Sequence, residues 1–150
     1  MRMWEILLED KNEASTLLLS CMDHRLVDAT VDYVDNIGLE GDYDHIALAG
    51  ASLGVLNDKY PEWGKTFWEH VETAKKLHHI KKIIVLDHRD CGAYKEFLGE
   101  DLVENPEREM MVHAEYMRKL GKIIKKRHTD LEVELLLMAL DGSVKRVEDR

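Results

Sequence analysis

The chain contains no glutamine, two cysteines, two prolines, two phenylalanines and no long apolar run. Each scarcity excludes something. Two cysteines cannot build the disulfide framework of a small secreted fold. A bilayer span takes ~20 consecutive apolar residues, and no stretch here approaches that. Met1-Arg2-Met3-Trp4-Glu5 runs into acidic positions, with no apolar segment and small-residue cleavage site, so no secretory leader is expected. These absences together predict a cytoplasmic protein whose thiols stay reduced. Basic charge is also short: 21 Lys and Arg stand against 30 Asp and Glu, a net charge of −9. That balance excludes nucleic acid as the expected partner, because phosphate binding needs a basic face. Lys122, Lys125 and Lys126 do cluster, but at the end of a predicted helix, where they suit its negative pole. Internal repeats, low-complexity tracts and linkers are absent too. The 150 residues therefore read as one domain over 1–150, long enough to bury a sizeable core.

What is present is an alternation of short apolar runs with helical periodicities. Over 3–12, Trp4, Leu7 and Leu8 share one face of one or two helical turns. A first strand is expected at 16–21. Leu26, Thr30, Tyr33, Val34 and Ile37 then recur at helical spacing, Asp28, Asp32 and Asp35 face away, and Gly38 is a stop. A second strand at 44–49 leads into Ala49-Gly50-Ala51-Ser52, whose small residues permit close backbone approach. Asn57 to Trp63, with Pro61 and the following Gly64, reads as a loop. Phe67, Val71, Ala74 and Leu77 outline a helix over 65–79. A third strand at 82–87 is followed by a short helix at 93–98. Asn105 and Pro106 are an N-cap and a first helical residue, opening a long helix to Arg127. A fourth strand at 132–139 turns at Asp141-Gly142 into 143–147. Most strands are apolar on both faces. The chain therefore reads as α/β, a mostly parallel four-stranded sheet with helices on both faces and a short antiparallel edge strand.

The chemistry-bearing residues lie just past two of the strands. Ile83 to Leu86 end in Asp87-His88-Arg89-Asp90-Cys91-Gly92, and Leu17 to Ser20 end in Cys21-Met22-Asp23-His24-Arg25. His88 and Cys91 have two residues between them, suited to two ligands on one tight turn. Cys21 adds a second thiolate, completing a set used in catalytic zinc sites with an open fourth position. If the first and third strands are neighbours, the two turns meet at the carboxyl end of the sheet, where such folds collect ligands. One zinc ion per chain is the expected cofactor. A water in its fourth position would turn acidic and deliver hydroxide. Thiolate ligands weaken the Lewis acid, so that water should ionise above the ~7 of an all-histidine site, and activity should rise toward alkaline pH. Asp23 either ligates the metal or is held by Arg25 and orients the nucleophile; an extended segment would put the two on one side. Asp90 is a candidate partner for a ligand or for backbone rather than a catalytic group. His70, His78, His79, His113 and His128 read as surface or packing residues, and nothing assigns His24 a proton-carrying role. Trp63, Phe67, Trp68 and Tyr94 are core, pocket or subunit-contact candidates.

Cys21-x-Asp23-x-Arg25 followed by His88-x-x-Cys91-Gly92 resembles the signature of β-class carbonic anhydrases, and the likeness runs from about Ser15 to Val147. It implies zinc on Cys21, His88 and Cys91, an Asp23–Arg25 dyad beside it, and reversible hydration of carbon dioxide to bicarbonate. It also implies four parallel strands with an antiparallel edge and a homodimer or dimer of dimers. Three departures stand out. Ala47-Leu48-Ala49-Gly50 replaces the family's Arg-Asn-Ala-Gly, and the substrate-holding glutamine has no counterpart. The N-terminal arm is short, and Tyr60 to Trp68 looks like an insertion. A more apolar pocket admits two alternatives: a hydrolase of carbonyl sulfide or carbon disulfide, or a zinc protein without turnover.

Overall fold

The computed structural model describes residues 12–148. The helical segment expected over 3–12 thus falls almost wholly outside the described residues. Strands are β1 (Thr16–Ser20), β2 (Tyr43–Ala47), β3 (Lys82–His88), β4 (Glu132–Met138) and β5 (Val144–Val147). Helices are α1 (Val27–Val34), α2 (Ser52–Leu56), α3 (Pro61–His78), α4 (Gly92–Leu98) and α5 (Pro106–Arg127). One sheet has the order β2-β1-β3-β4-β5, parallel except for the antiparallel β4–β5 pair. The expected parallel sheet with an antiparallel edge is what the chain builds.

Both sheet faces are covered, and the alternation of side chains shows how. Leu17, Leu19, Ile83, Val85, Leu135 and Leu137 point to one face, where Phe67 and Val71 of α3 and Met117, Leu120 and Ile124 of α5 pack. Leu18, Ile84, Leu86, Leu136 and Met138 point to the other, under Leu26 and Val34. A strand with an apolar layer on each side has no polar face to show, so these runs are apolar throughout. The hairpin into β5 turns at Gly142, whose φ of +87° suits glycine, while the Asp141 carboxylate accepts the Ser143 N–H at 2.9 Å.

Three expectations need correction. The loop expected over Asn57 to Trp63 runs only from Asn57 to Tyr60: α3 begins at Pro61 rather than 65, and a short helix not expected, α2, occupies Ser52–Leu56 just before it. Proline is accommodated there because the first helical N–H has no intrahelical partner to lose. Asn57 joins the two helices, its amide donating to Gly54 O and its carbonyl accepting the Tyr60 N–H, each at 2.6 Å. Gly64 lies inside α3 because the backbone of α2 passes close; a Cβ there would lie 2.6 Å from Val55 O. Second, the helix expected to continue to Ile37 widens into a π turn over Asp35–Leu39. That turn shifts the phase of the face, so Ile37 is 45% exposed rather than buried. Third, the segment after β1 is not extended but a 3₁₀ turn over His24–Leu26 capped by Asp23. No helix among the described residues is long and apolar enough to cross a membrane.

The topology positions the site. The chain leaves β1 in one direction for β2 and returns on the other side for β3, so the strand order reverses between β1 and β3. Their register pairs Ser20 with Leu86, which brings Cys21 level with the end of β3. A crevice at such a switch point is the general ligand position in open α/β sheets.

Candidate metal centre

Cys21 follows β1, His88 is the last residue of β3, and Cys91 caps α4. Their ligand-capable atoms all lie within 4.8 Å of one another, and no other three-residue cluster of this kind occurs among the described residues. The two cysteines are free thiols with sulfurs 4.0 Å apart. Two thiolates each ~2.3 Å from one tetrahedral ion would stand about 3.8 Å apart. His88 Nδ1 bonds the Arg89 carbonyl at 2.7 Å, so that nitrogen carries the proton and Nε2 presents a lone pair. Nε2 is buried with no hydrogen-bond partner. An orphaned buried nitrogen costs ~1–3 kcal/mol unless something occupies its lone pair. The residues present therefore fit a zinc ion: two sulfurs at the right separation, one correctly directed imidazole, and a vacant lone pair.

The electrostatics favour one thiolate, on Cys21. The Cys91 S–H beside it pulls the Cys21 thiol down; His88 and the Gly50 N–H, 3.3 Å from Sγ, add to this against the cost of burial. Cys91 is pushed up by the same partnership, since it keeps the shared proton. Burial would lower His88, but the Cys21 thiolate, the Arg89 carbonyl and Asp23 outweigh it and raise it.

Asp23 and Arg25 meet, though not through an extended backbone. As the cap of the 3₁₀ turn, Asp23 accepts the Arg25 N–H at 2.9 Å, and the guanidinium folds back to donate at 2.8 Å from Nη2. Asp23 Oδ2 lies 3.6 Å from His88 Nε2. Hydrogen bonds from the Arg25 side chain hold the Asp23 carboxyl at about 2. Asp90 bonds neither a candidate ligand nor idle backbone; it engages Arg25, accepting from Nη1 at 3.0 Å through its carboxylate and from Nη2 at 2.9 Å through its carbonyl.

From this cluster a cleft of about 790 Å³ opens to solvent, walled by Met22, Ala49, Tyr60, Trp63, Ala93 and Phe97. Tyr60 and Trp63 stack at 4.7 Å with Phe97 edge-on to both. Trp63 thus lines the cleft, whereas Phe67 is fully buried, and Trp68 packs on it with the Arg127 guanidinium 4.2 Å above the indole. Tyr94 belongs to a network that sequence reasoning missed. Buried Asp87 accepts from Ser52 N and Oγ at 3.0 and 2.7 Å, from Tyr94 OH at 2.6 Å and from His113 Nδ1 at 2.8 Å. Burial and the Asp87 charge push the Tyr94 phenol well up. The network ties α2, α4 and α5 to β3 beside His88. The one signal for it was a carboxylate at the end of an otherwise apolar strand. Buried Glu109 was also missed; it accepts the Arg89 guanidinium at 2.9 Å and the Asp90 N–H at 2.8 Å. His24 is exposed at the cleft rim, while His78 pairs with Asp44 at 2.7 Å.

A family model described as "Putative carbonic anhydrase" matches residues 11–148. An uncharacterized protein of Rickettsia bellii (strain RML369-C) is 46% identical over 143 residues, covering 95% of this chain and 87% of that protein. Among solved structures, one from a study of two tetrameric β-carbonic anhydrases of Sordaria macrospora superposes with a TM-score of 0.62. It is 14% identical and covers 96% of this chain and 85% of that one. The β-carbonic anhydrase CafA of Aspergillus fumigatus gives a TM-score of 0.59 at 14% identity over 97% and 81% of the two chains.

Proposed function

The chain belongs to this carbonic anhydrase family, and from that premise we propose that it hydrates carbon dioxide reversibly to bicarbonate with one zinc ion per chain. Cys21, His88 and Cys91 would hold the zinc, and Asp23 and Arg25 would form the dyad that orients the attacking water. The observation that carries this reading is the buried, unpartnered His88 Nε2 facing two free thiols, with Asp23 fixed 3.6 Å away. Zinc would supply Lewis acidity, making water a nucleophile near neutral pH. The protein's own residues do the rest. Asp23, kept ionised by Arg25, accepts a hydrogen bond from the attacking water and aims its lone pair at the substrate carbon. The Gly50 N–H on Cys21 and the Arg89 carbonyl on His88 fix both groups in one geometry. The apolar cleft wall admits a neutral linear molecule and offers little to retain a charged product. A cytoplasmic location, where thiols stay reduced, suits this ligand set. Exposed Met22, at the cleft, and exposed Val27 and Val31, on α1, suit a homodimer or dimer of dimers.

A second reading has its own observation. The wall of Ala49, Trp63, Ala93 and Phe97 would hold carbonyl sulfide or carbon disulfide as readily as carbon dioxide. Stopped-flow hydration decides between them. Zinc-loaded protein should accelerate carbon dioxide hydration increasingly from about pH 7 to 9. No rate above buffer would overturn the anhydrase reading; sulfide release from carbonyl sulfide would then select the second, and neither activity would leave a zinc protein without turnover. Cys91→Ser should lose the metal.

A further inference from the structure

Arg25 is gripped on two edges. Asp23 takes Nε and Nη2, while Asp90 takes Nη1 through its carboxylate and Nη2 through its carbonyl. A planar guanidinium bonded along both edges has no freedom to rotate about its own axis, so the second edge fixes where the first one points. Asp90 can present carboxylate and carbonyl to the same guanidinium because its backbone is left-handed, at φ +55°. Aspartate tolerates that region better than most residues, but at a cost that surrounding structure must cover. Glu109 covers it. This α5 carboxylate is 4% exposed and divides its oxygens between the Asp90 N–H at 2.8 Å and the Arg89 guanidinium at 2.9 Å. A buried carboxylate is stable only when both oxygens are satisfied, and here both are spent on the turn that carries Asp90. Asp23 meanwhile sits 3.6 Å from His88 Nε2, close enough to enter the ligand cluster if Arg25 released it.

The geometry points to Asp90 and Glu109 as positioning residues: they act through Arg25 to hold Asp23 beside the ligand triad rather than in it. This rests on the proposed hydratase reading for its catalytic consequence, though not for its physical content. Neither residue touches the reacting atoms. Glu109 sets the Asp90 turn, Asp90 sets the far edge of Arg25, and Arg25 sets Asp23. The dyad named from its spacing is thus the near half of a four-residue relay that starts on α5, and α5 is joined to the site through a helix–turn contact 19 residues apart in sequence.

The test compares Asp90→Gly, which keeps the left-handed backbone and its carbonyl, and Glu109→Gln, in the native background and in Arg25→Ala. Two readouts are needed. The first is the ¹H–¹⁵N spectrum of the Arg25 guanidinium, which uses no turnover; restrained Nη signals should be resolved in the native protein and averaged in both variants. The second is carbon dioxide hydration by zinc-loaded protein at matched metal content. Each variant should lose about tenfold to a hundredfold in kcat with little change in KM, the scale of a misplaced orienting group. In the Arg25→Ala background the same substitutions should cost nothing further, because they have no other route to Asp23. Additive losses there would overturn the inference, as would a restrained Arg25 in both variants. If native protein with zinc bound shows no hydration, the hydratase reading fails alone, and the guanidinium spectrum still decides the relay.

Discussion

Asp23 answers to two neighbours with opposite demands. On one side Arg25 holds it through side chain and backbone N–H; on the other, one of its oxygens lies 3.6 Å from the free nitrogen of His88. The first contact has a measurable signature. Arg25 lowers the Asp23 carboxyl from 3.8 to about 2. A depressed carboxyl stabilises the folded state fully above its unfolded value and loses that contribution as pH falls through the folded one. The pairing should therefore be intact above ~4 and disappear toward ~2. Carboxyl ¹³C shifts followed through an acid titration should place Asp23 low in the native protein and near its ordinary value in Arg25→Ala. Equal midpoints in the two proteins would remove Arg25 as the cause. Apart from the family resemblance, the pairing was legible in the sequence as a spacing of two, and for the wrong reason: a capped 3₁₀ turn, not an extended strand, folds the guanidinium back onto the carboxylate.

Among the elements, α2 and the first turn of α3 were the least legible, because proline and glycine carry two meanings. In a sequence, Pro61 and Gly64 punctuate a loop. In the fold, Pro61 opens α3 and Gly64 lets α2 pass against it, and only the packing distinguishes the two. Gly121 gives the contrast within α5, since a Cβ there would meet Leu135 and Val133 side chains at an ordinary 3.6 Å. Gly64→Ala should force the helices apart and cost ~1–3 kcal/mol. Gly121→Ala should instead stabilise by ~0.5–1 kcal/mol through helix propensity. Urea midpoints of the two variants test this directly, and a Gly64→Ala protein as stable as the native one would show that the α2–α3 approach has slack. The wall of the cleft should report the same change, because Trp63 precedes Gly64 and would move with it.

At the scale of the whole molecule, one ion would join the ends of β1 and β3 with the start of α4. Such a ligand stabilises the fold by mass action, ~2.7 kcal/mol at a hundredfold excess over its dissociation constant. For a chain of this length that is roughly 5–10 °C in Tm. A chelator should lower the Tm of zinc-loaded protein by that amount and leave Cys91→Ser unmoved; a native Tm indifferent to chelator would count against metal at this site. Much of this architecture follows from local pattern. The apolar runs of Leu17 to Leu19, Ile83 to Leu86 and Leu135 to Leu137 dictate strands covered on both sides, and the residues just past the first two, two thiols and an imidazole in charged company, mark the candidate ligand cluster. Periodicity and residue type are properties of neighbours along the chain, and these the sequence determines by itself. The partners of Asp87 and Glu109, the two-sided grip on Arg25 and the packing of Gly64 are properties of neighbours in space. They were decided only when the register of β1 against β3 and the seating of α5 brought distant groups within hydrogen-bonding distance, since a buried carboxylate reveals in sequence that it needs donors but not which ones it will have.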